Sequence, residues 1–227
     1  MSLLSVAKNL LNSRPSFLVL TAGIYRIFGF NRRRFKGKNN IIELNKSFLF
    51  KTKIEIIGSN NSVILGDMCQ IRNCFINIYG HNNRIVIGDK AYINDTELHI
   101  EDDSNEINIG KKTTIFGKTH VACIEGTIIT IGEDCMFSSD VVLRTGDSHS
   151  IIDDTGNRIN QSKDIMIGDH VWFGNKTIII KGVQIAKNSI VGTGSLVTKQ
   201  FMEDGVVIAG NPADIIKKHV NWLRERV

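Results

Sequence analysis

Apolar residues followed by glycine recur at fixed intervals along this chain. The intervals are 22, 22, 22 and 36 residues, and the pairs are Leu65-Gly66, Ile87-Gly88, Ile109-Gly110, Ile131-Gly132 and Ile167-Gly168. Beyond the last pair the period shortens to six residues, with apolar residues at Phe173, Ile179, Ile185, Val191 and Val197. A fixed period of this kind predicts a solenoid, in which each repeat forms one coil stacked on the previous one.

Two further positions in the repeat support a three-sided coil with a continuous core. The third residue after each glycine is small or compact, as a tight inward corner requires: Cys69, Ala91, Thr113, Cys135 and Val171. The fifth residue is bulky and apolar: Ile71, Ile93, Ile115, Phe137 and Phe173. Because side chains alternate between the faces of a strand, these bulky residues are expected to stack inside the tube. The predicted fold class is therefore an all-β solenoid, a parallel β-helix.

The 36-residue interval exceeds the 22-residue repeat by 14 residues, and the surplus contains Asp147 and His149. A regular coil that carries one polar insertion with a histidine indicates where chemistry takes place. The expected organisation is an N-terminal arm over residues 1–45, a β-helix over 46–210 with an inserted loop at about 144–163, and a C-terminal α-helix over 211–227. Asn211 as the N-cap and Pro212 in the first turn are the signals for that helix.

The basic charge is concentrated at the N-terminus. Residues 1–40 contain eight basic and no acidic residues, whereas the rest of the chain has 20 basic and 23 acidic residues. Apolar residues interleave with this charge, which favours either contact with an anionic membrane face or a cap on the open end of the coil. Nucleic-acid binding is disfavoured, because the sequence has no aromatic-rich basic face and no known binding motif.

Composition indicates a cytoplasmic protein, with contact to the inner face of the membrane through residues 1–40 as one option. No segment approaches the roughly 20 apolar residues of a membrane span, and the N-terminus lacks a small-residue cleavage site. The four cysteines show no CxxC spacing, and Cys69 and Cys135 occupy the small corner position. Free structural thiols are therefore expected, with neither disulfides nor a metal site.

The hexapeptide units from Ile167 to Leu196 resemble those of the left-handed parallel β-helix acyltransferases, and the segment VIAGNPA at Val207–Ala213 resembles the family's A-G-x-P-A motif. Residues 147–149 and 168–174 are similar to the xenobiotic and sugar O-acetyltransferase branch, particularly to bacterial capsule and polysialic acid O-acetyltransferases. The specific resemblance covers about residues 130–225. It implies a left-handed coil, a homotrimer with active sites between subunits, acetyl-CoA as donor, no metal and a saccharide acceptor.

Acetyl transfer from a thioester to a sugar hydroxyl needs a base for the hydroxyl proton and donors for the oxyanion. His149 is the predicted base, because it lies on the inserted loop and matches the family's catalytic position. Asp147 either orients His149 or forms an Asx turn that shapes the loop. Trp172 is the second predicted catalytic residue, because it should point outward, and the resemblance places it beside the histidine. A subunit contact is the alternative for Trp172.

The resemblance also implies a cofactor groove along the C-terminal coils. Backbone amides along Gly192–Ser195, including those of Thr193 and Gly194, would be open to the pantetheine arm, and Gly174 would also contact the cofactor. Lys199 and either Lys217 or Lys218 would meet the CoA phosphates, and Pro212 would lie against the adenine. Arg144, Asp147 and Arg158 are predicted to bind the acceptor, since arginines beside the loop can attract an anionic sugar. For each lysine alone, a solvated surface charge is the alternative.

Three other functions fit parts of the sequence. A non-catalytic solenoid could bind polysaccharide or act as a scaffold, and an acetyltransferase could act on a small acceptor such as serine or maltose. The same fold hosts zinc-dependent carbonic anhydrases, but the histidines of this chain lack their ligand pattern. The expected function is acetyl transfer from acetyl-CoA to a hydroxyl group of a bacterial cell-surface sugar or polysaccharide.

Overall fold

The chain winds into a three-sided parallel β-solenoid of about eight coils. The computed structural model describes Gly23 and residues 29–227, and residues 29–227 form strands and turns without any helix. The predicted all-β solenoid is confirmed. Within the described residues, no helix is long and apolar enough to cross a lipid bilayer.

Each coil contributes one strand to each of three sheets. The first sheet consists of β1 (Arg32–Lys36), β4 (Lys53–Ile57), β7 (Phe75–Tyr79), β10 (Thr96–Glu101), β13 (Thr119–Ile124), β16 (Val142–Arg144), β19 (Ile178–Ile180) and β22 (Leu196–Val197). The second sheet consists of β2 (Ile41–Glu43), β5 (Ser62–Leu65), β8 (Arg84–Ile87), β11 (Glu106–Ile109), β14 (Ile128–Ile131), β17 (Ile165–Ile167) and β20 (Gln184–Ile185). The third sheet consists of β3 (Phe48–Phe50), β6 (Gln70–Arg72), β9 (Tyr92–Asn94), β12 (Thr114–Ile115), β15 (Met136–Phe137), β18 (Trp172–Phe173), β21 (Ile190–Val191), β23 (Val207–Gly210) and β24 (Ala213–Lys217).

Strand register follows the sequence period. In the third sheet, Ile71 lies beside Ile93, Ile115 beside Phe137, and Phe137 beside Phe173. All five side chains are buried in one core, and the rings of Phe137 and Phe173 have centroids 4.4 Å apart. Burial of each large apolar side chain stabilises the fold by about 1.5–3 kcal/mol relative to exposure. The repeat thus places one bulky residue of each coil on the axis.

A ladder of asparagines stabilises the corner where the chain passes from the first sheet to the second. The backbone N–H of Asn61 donates to Oδ1 of Asn40, that of Asn83 donates to Oδ1 of Asn61, and that of Asn105 donates to Oδ1 of Asn83, at 2.8–3.0 Å. The N–H of Thr127 continues the ladder to Asn105. Asn61, Asn83 and Asn105 are fully buried. Their side-chain amides bond to the backbone groups of this corner, which burial separates from water.

The predicted boundary between the N-terminal arm and the β-helix at residue 45 is wrong. Strands β1 and β2 already belong to the first coil, and β1 pairs in parallel with β4. Arg33 and Phe35 stand in register with the inward Ile54 and Ile56, but both side chains are exposed at this end of the tube. The repeat was not recognised in this segment, because basic residues stand where later coils have apolar ones. The part of the predicted arm over residues 1–22 and 24–28 lies outside the described residues.

The predicted C-terminal helix over residues 211–227 is also wrong. The chain turns at Asn211 and Pro212, and β24 then pairs antiparallel with β23 at the edge of the third sheet. Asparagine and proline are frequent in turns as well as at helix starts, so the capping signals were ambiguous. Pairing with β23 also satisfies backbone groups that an open sheet edge would leave without partners.

The four cysteines, Cys69, Cys74, Cys123 and Cys135, are free and buried, as their packing predicts. Burial raises the pKa of each thiol, and it raises the pKa of Cys74 and of Cys135 to about 12. Thiols in such surroundings behave as small apolar side chains and react slowly.

Candidate functional site

The inserted loop leaves the coil between β16 and β17 and returns to nearly the same point. The backbone N–H of Lys163 donates to the carbonyl oxygen of Thr145 at 2.9 Å, which closes the neck of the loop. The Thr145 hydroxyl accepts hydrogen bonds from the backbone N–H of Ile124 and from the Thr127 hydroxyl, at 3.0 and 2.8 Å. The buried ladder of the corner therefore ends at the base of the loop and holds it on the solenoid.

His149 lies on the exposed part of this loop, and its backbone is fixed. The Asn160 side-chain amide donates to the His149 carbonyl oxygen at 2.7 Å, and the Asn160 oxygen accepts the backbone N–H of Ile151 at 2.7 Å. Among the described residues, the His149 imidazole has no hydrogen-bond partner. The ring is therefore open to a substrate or to another subunit.

Asp147 acts on the loop backbone and not on the His149 ring. Its carboxylate accepts hydrogen bonds from the Lys181 ammonium and from the Asn160 amide. These two bonds, that from Lys181 first, hold the pKa of Asp147 below its usual value. Because Asn160 also holds the His149 carbonyl, Asp147 supports the position of His149 through Asn160. Neither an Asx turn nor a contact with the imidazole is seen.

The two candidate acceptor-binding arginines have different surroundings. Arg158 makes a bidentate pair with Glu125 at 2.8 and 3.0 Å, and this pair lowers the pKa of Glu125 and raises that of Arg158. Arg144 is exposed, contacts the Ser148 hydroxyl at 2.9 Å, and has no ion-pair partner among the described carboxylates. Arg158 therefore fastens the loop to the coil, while the charge of Arg144 remains available.

Trp172 points outward from β18, opposite to the inward Phe173, as the alternation predicts. It is 37% exposed and borders a groove of about 340 Å³ on the third sheet. The other residues around this groove are Phe116, Met136, Phe137, Ser138 and Ser139. The volume is at the lower end of the range for small-molecule sites, about 300–1,000 Å³.

The loop of His149 and the groove of Trp172 occupy different parts of the same chain. The loop projects from the corner between the first and second sheets, and it is held there by Glu125 and Lys181. Trp172 belongs to the third sheet, which lies opposite that corner in a three-sided tube. Within one chain the described contacts do not bring His149 and Trp172 together, so a site that uses both needs a second copy of the chain.

The C-terminal tail reaches the groove, which the sequence did not indicate. Trp222 is buried, stacks on His170 with centroids 4.1 Å apart, and lies 6.2 Å from the Trp172 ring. His170 is also bound to Asp134 at 2.8 Å, and Arg224 donates to the same carboxylate at 3.0 Å. The contact was not predicted, because residues 211–227 were expected to form a helix and Trp222 was not assigned to the groove.

Three of the predicted cofactor residues meet where the chain passes from the third sheet to the first. A Cβ on Gly174 would lie 2.6 Å from the Thr193 nitrogen, so only glycine permits this stacking of coils. The expected row of free amides is wrong, since the amides of Gly192, Gly194 and Ser195 donate to carbonyl oxygens of Ile208, Asn175 and Gly192. Coil stacking uses these donors. Among the described residues, only the Thr193 amide of this turn has no acceptor.

The remaining predicted cofactor residues lie at the C-terminal end of the tube. Lys199 forms an ion pair with Asp214 at 3.2 Å, and the pKa of Asp214 is lowered by its bond from the Ile215 backbone and by Lys199. Lys217 is exposed on β24, and Pro212 is exposed in the turn before it. Lys217 has no ion-pair partner in the described part of the chain. No cluster of three or more His, Cys, Asp or Glu side chains within it has the arrangement of metal ligands.

Comparisons with known proteins agree with this geometry. No family model matches the sequence. The chain is 36% identical over 192 residues to the polysialic acid O-acetyltransferase of Neisseria meningitidis, an alignment that covers 84% of this chain and 88% of the relative. It is 41% identical over 97 residues to the polysialic acid O-acetyltransferase of Escherichia coli O1:K1, but that match spans 42% of this chain and only 31% of the relative. The crystal structure of the polysialic acid O-acetyltransferase OatWY superposes with a TM-score of 0.83 at 35% identity, covering 87% of this chain and 92% of the other.

Proposed function

The chain belongs to the hexapeptide-repeat O-acetyltransferase family, and on that premise we propose that it transfers an acetyl group from acetyl-CoA to a hydroxyl group of an anionic cell-surface polysaccharide of the sialic-acid type. The protein is an acyltransferase with the left-handed β-helix fold of that family. The observation that carries the proposal is the relation to the Neisseria meningitidis enzyme, which extends over 84% of this chain. It includes the loop, the groove and the stacked coils rather than one motif.

The proposed reaction is a direct attack within a complex of both substrates. The His149 imidazole removes the proton of the acceptor hydroxyl while the oxygen of that hydroxyl attacks the thioester carbonyl carbon. A backbone N–H stabilises the oxyanion of the tetrahedral intermediate, and the unpaired amide of Thr193 is the available donor at the cofactor corner. Collapse breaks the carbon–sulfur bond, the CoA sulfur takes the proton from His149, and the acetyl ester remains on the sugar.

The proposed site lies between two copies of the chain in a homotrimer. His149 from the loop corner of one subunit would meet Trp172 and the groove of the next, because the two residues lie on different sides of a single tube. Arg144, which bonds to Ser148 of the loop, would pair with an acceptor carboxylate. Thr193, Gly174 and Gly194 would line the cofactor, and the exposed Lys217 would meet its phosphates at the end of the tube.

The test is turnover of His149→Ala with acetyl-CoA and polysialic acid, followed by thiol release. Loss of a general base lowers turnover about 10²–10⁴-fold. CoA binding and the melting temperature should stay unchanged, because the His149 ring has no bond within the described chain. His81→Ala is the matched control, since His81 is an exposed histidine on an early coil. Wild-type turnover of His149→Ala would remove this residue from the mechanism. Polysaccharide binding by the wild-type protein without any thiol release would favour the non-catalytic alternative.

A further inference from the structure

The outer face of the third sheet differs from the other two faces in its charge. None of its parallel strands, β3, β6, β9, β12, β15, β18, β21 and β23, contains Asp or Glu. The strands of the first sheet contain Glu55, Glu97 and Glu101, and those of the second contain Glu43 and Glu106. A polyanion lying along these eight strands therefore meets no carboxylate of the strands themselves.

Aromatic side chains run along this face from the groove of Trp172 toward the N-terminal coils. Phe116 also lines that groove and is 41% exposed. Tyr92 follows, with its ring centroid 5.2 Å from that of Phe116. The register places Trp172 beside Met136, Met136 beside Thr114, and Thr114 beside Tyr92. Three strand spacings correspond to about 14 Å, so the row is longer than one binding pocket.

A cation and several amides complete the row. The Arg72 guanidinium lies 5.8 Å from the centre of the Tyr92 ring and donates to the Gln70 side chain at 3.1 Å. No carboxylate of the described residues forms an ion pair with Arg72. The Asn73 and Asn94 side chains are hydrogen-bonded to each other at 3.0 Å next to Arg72. Flat apolar rings flanked by amides and an unpaired guanidinium match the apolar ring faces, the hydroxyl groups and the carboxylates of an acidic saccharide.

We propose that the outer face of the third sheet is an extended binding track for the acceptor polymer, leading from Trp172 through Phe116 and Tyr92 to Arg72. This inference rests on the proposed function, and it names the occupant as an acidic polysaccharide chain. The track is continuous with the groove beside the candidate catalytic residue, and the cation at Arg72 together with the absence of carboxylates from its eight parallel strands suits a polyanion. The unit at Trp172 receives the acetyl group, while units further along the chain are held at Tyr92 and Arg72.

The dependence of KM on acceptor length distinguishes an extended binding track from an effect of these residues on the groove alone. Tyr92→Ala and Arg72→Gln should each raise the KM for long polysialic acid about three- to tenfold, as loss of one ring or one charged contact implies. The KM for a sialic acid disaccharide, the KM for acetyl-CoA and kcat should remain unchanged, because a short acceptor does not reach Tyr92. Tyr79→Ala is the matched control, since Tyr79 lies on the outer face of the first sheet.

The contrary results are distinct. Equal KM changes with the disaccharide and the polymer would overturn the track, because they would show that Tyr92 acts only through the groove. Dissociation of the oligomer by Tyr92→Ala, measured by light scattering, would also overturn it and assign this face to contact between copies of the chain. Binding of the polymer that depends on Tyr92, measured without acetyl-CoA, would support the track even if the wild-type protein releases no thiol. That last combination would contradict the proposed function alone.

Discussion

The indole of Trp222 lies parallel to the imidazole of His170, with an angle of 6° between the planes and 4.1 Å between the centroids. The contact is reinforced in both directions, since the Trp222 ring N–H donates to the His170 carbonyl oxygen at 2.8 Å and the Trp222 carbonyl oxygen lies 3.1 Å from the His170 ring. Arg224 extends the attachment to the Thr114 hydroxyl and to the Cys135 carbonyl oxygen. The tail therefore joins coils that are far apart in the sequence.

Trp222→Ala should destabilise the protein and disturb the groove. Removal of a buried aromatic side chain costs about 3–5 kcal/mol, measurable by urea unfolding. Leu223→Ala is the control, because Leu223 is 62% exposed. The chain has two tryptophans, so fluorescence of Trp222→Phe reports on Trp172 alone. Equal stability of the Trp222→Ala and Leu223→Ala variants would show that burial of the Trp222 side chain does not stabilise the fold.

Asn83→Ala should break the ladder in its middle. The substitution leaves the buried N–H of Asn105 without its acceptor, at a cost of about 1–3 kcal/mol, and it also removes the bond from the Asn83 amide to the Asp102 carbonyl oxygen. Asn108→Ala is the control, since Asn108 faces outward on β11. Thermal and urea unfolding measure both. If the two variants unfold together, the ladder does not stabilise the corner.

The inserted loop should loosen at acidic pH. The pKa of Asp147 is held below its ordinary value of 3.8 by Lys181 and Asn160. Its contribution to stability is therefore complete above pH 3.8 and is lost as the pH falls through the lower pKa of the folded state. Hydrogen exchange of the amides of residues 148–160 should accelerate in that range. A similar loss is expected for Glu125, whose pKa is lowered from 4.5 by Arg158 and Ser162.

Asp147→Asn and Lys181→Met are the matched variants for that experiment. Both should show faster exchange in the loop at neutral pH, because each removes one side of the ion pair. The Asp147 part of the pH dependence should disappear in Asp147→Asn and weaken in Lys181→Met, where the Asn160 bond to the carboxylate remains. Exchange in the core strand β14 serves as an internal reference. A loop that exchanges as slowly in Lys181→Met as in the wild type would contradict the role of this pair.

The cysteines should resist modification until the protein unfolds. All four are buried, and a pKa raised to about 12 for Cys74 and Cys135 leaves almost no thiolate at neutral pH. Reaction with a thiol-specific chromogenic disulfide should thus be slow in buffer and release four equivalents in denaturant. Rapid modification of the native protein would show that the corners open.

The regular part of the fold follows directly from the sequence period. Inward positions such as Ile93 and Phe137 repeat in every coil, and each strand needs only its neighbours in the stack to decide which side chain is buried. The two ends of the solenoid could not be predicted in this way. Arg33 stands in register with the inward Ile54 but is charged and exposed, and Asn211 and Pro212 suit a turn as well as a helix.

The site was predictable in part for a related reason. The excess length around His149 and the outward position of Trp172 can be read from the spacing alone. The partners of the loop cannot, because Lys181 and Glu125 lie 34 and 33 residues from Asp147 and Arg158 along the chain. Only the stacking of coils brings them near. Trp222 is further still, 52 residues from His170.

Repetition also bears on how such a chain can change in evolution. Gain or loss of one whole 22-residue coil from the N-terminal part leaves every remaining side chain facing the same way, whereas a single-residue deletion within a strand reverses the facing of its remaining residues. Length can therefore vary in whole units while the loop, the groove and the tail stay as they are. The number of N-terminal coils can therefore vary to suit the length of a bound molecule, while the residues of the candidate site remain unchanged.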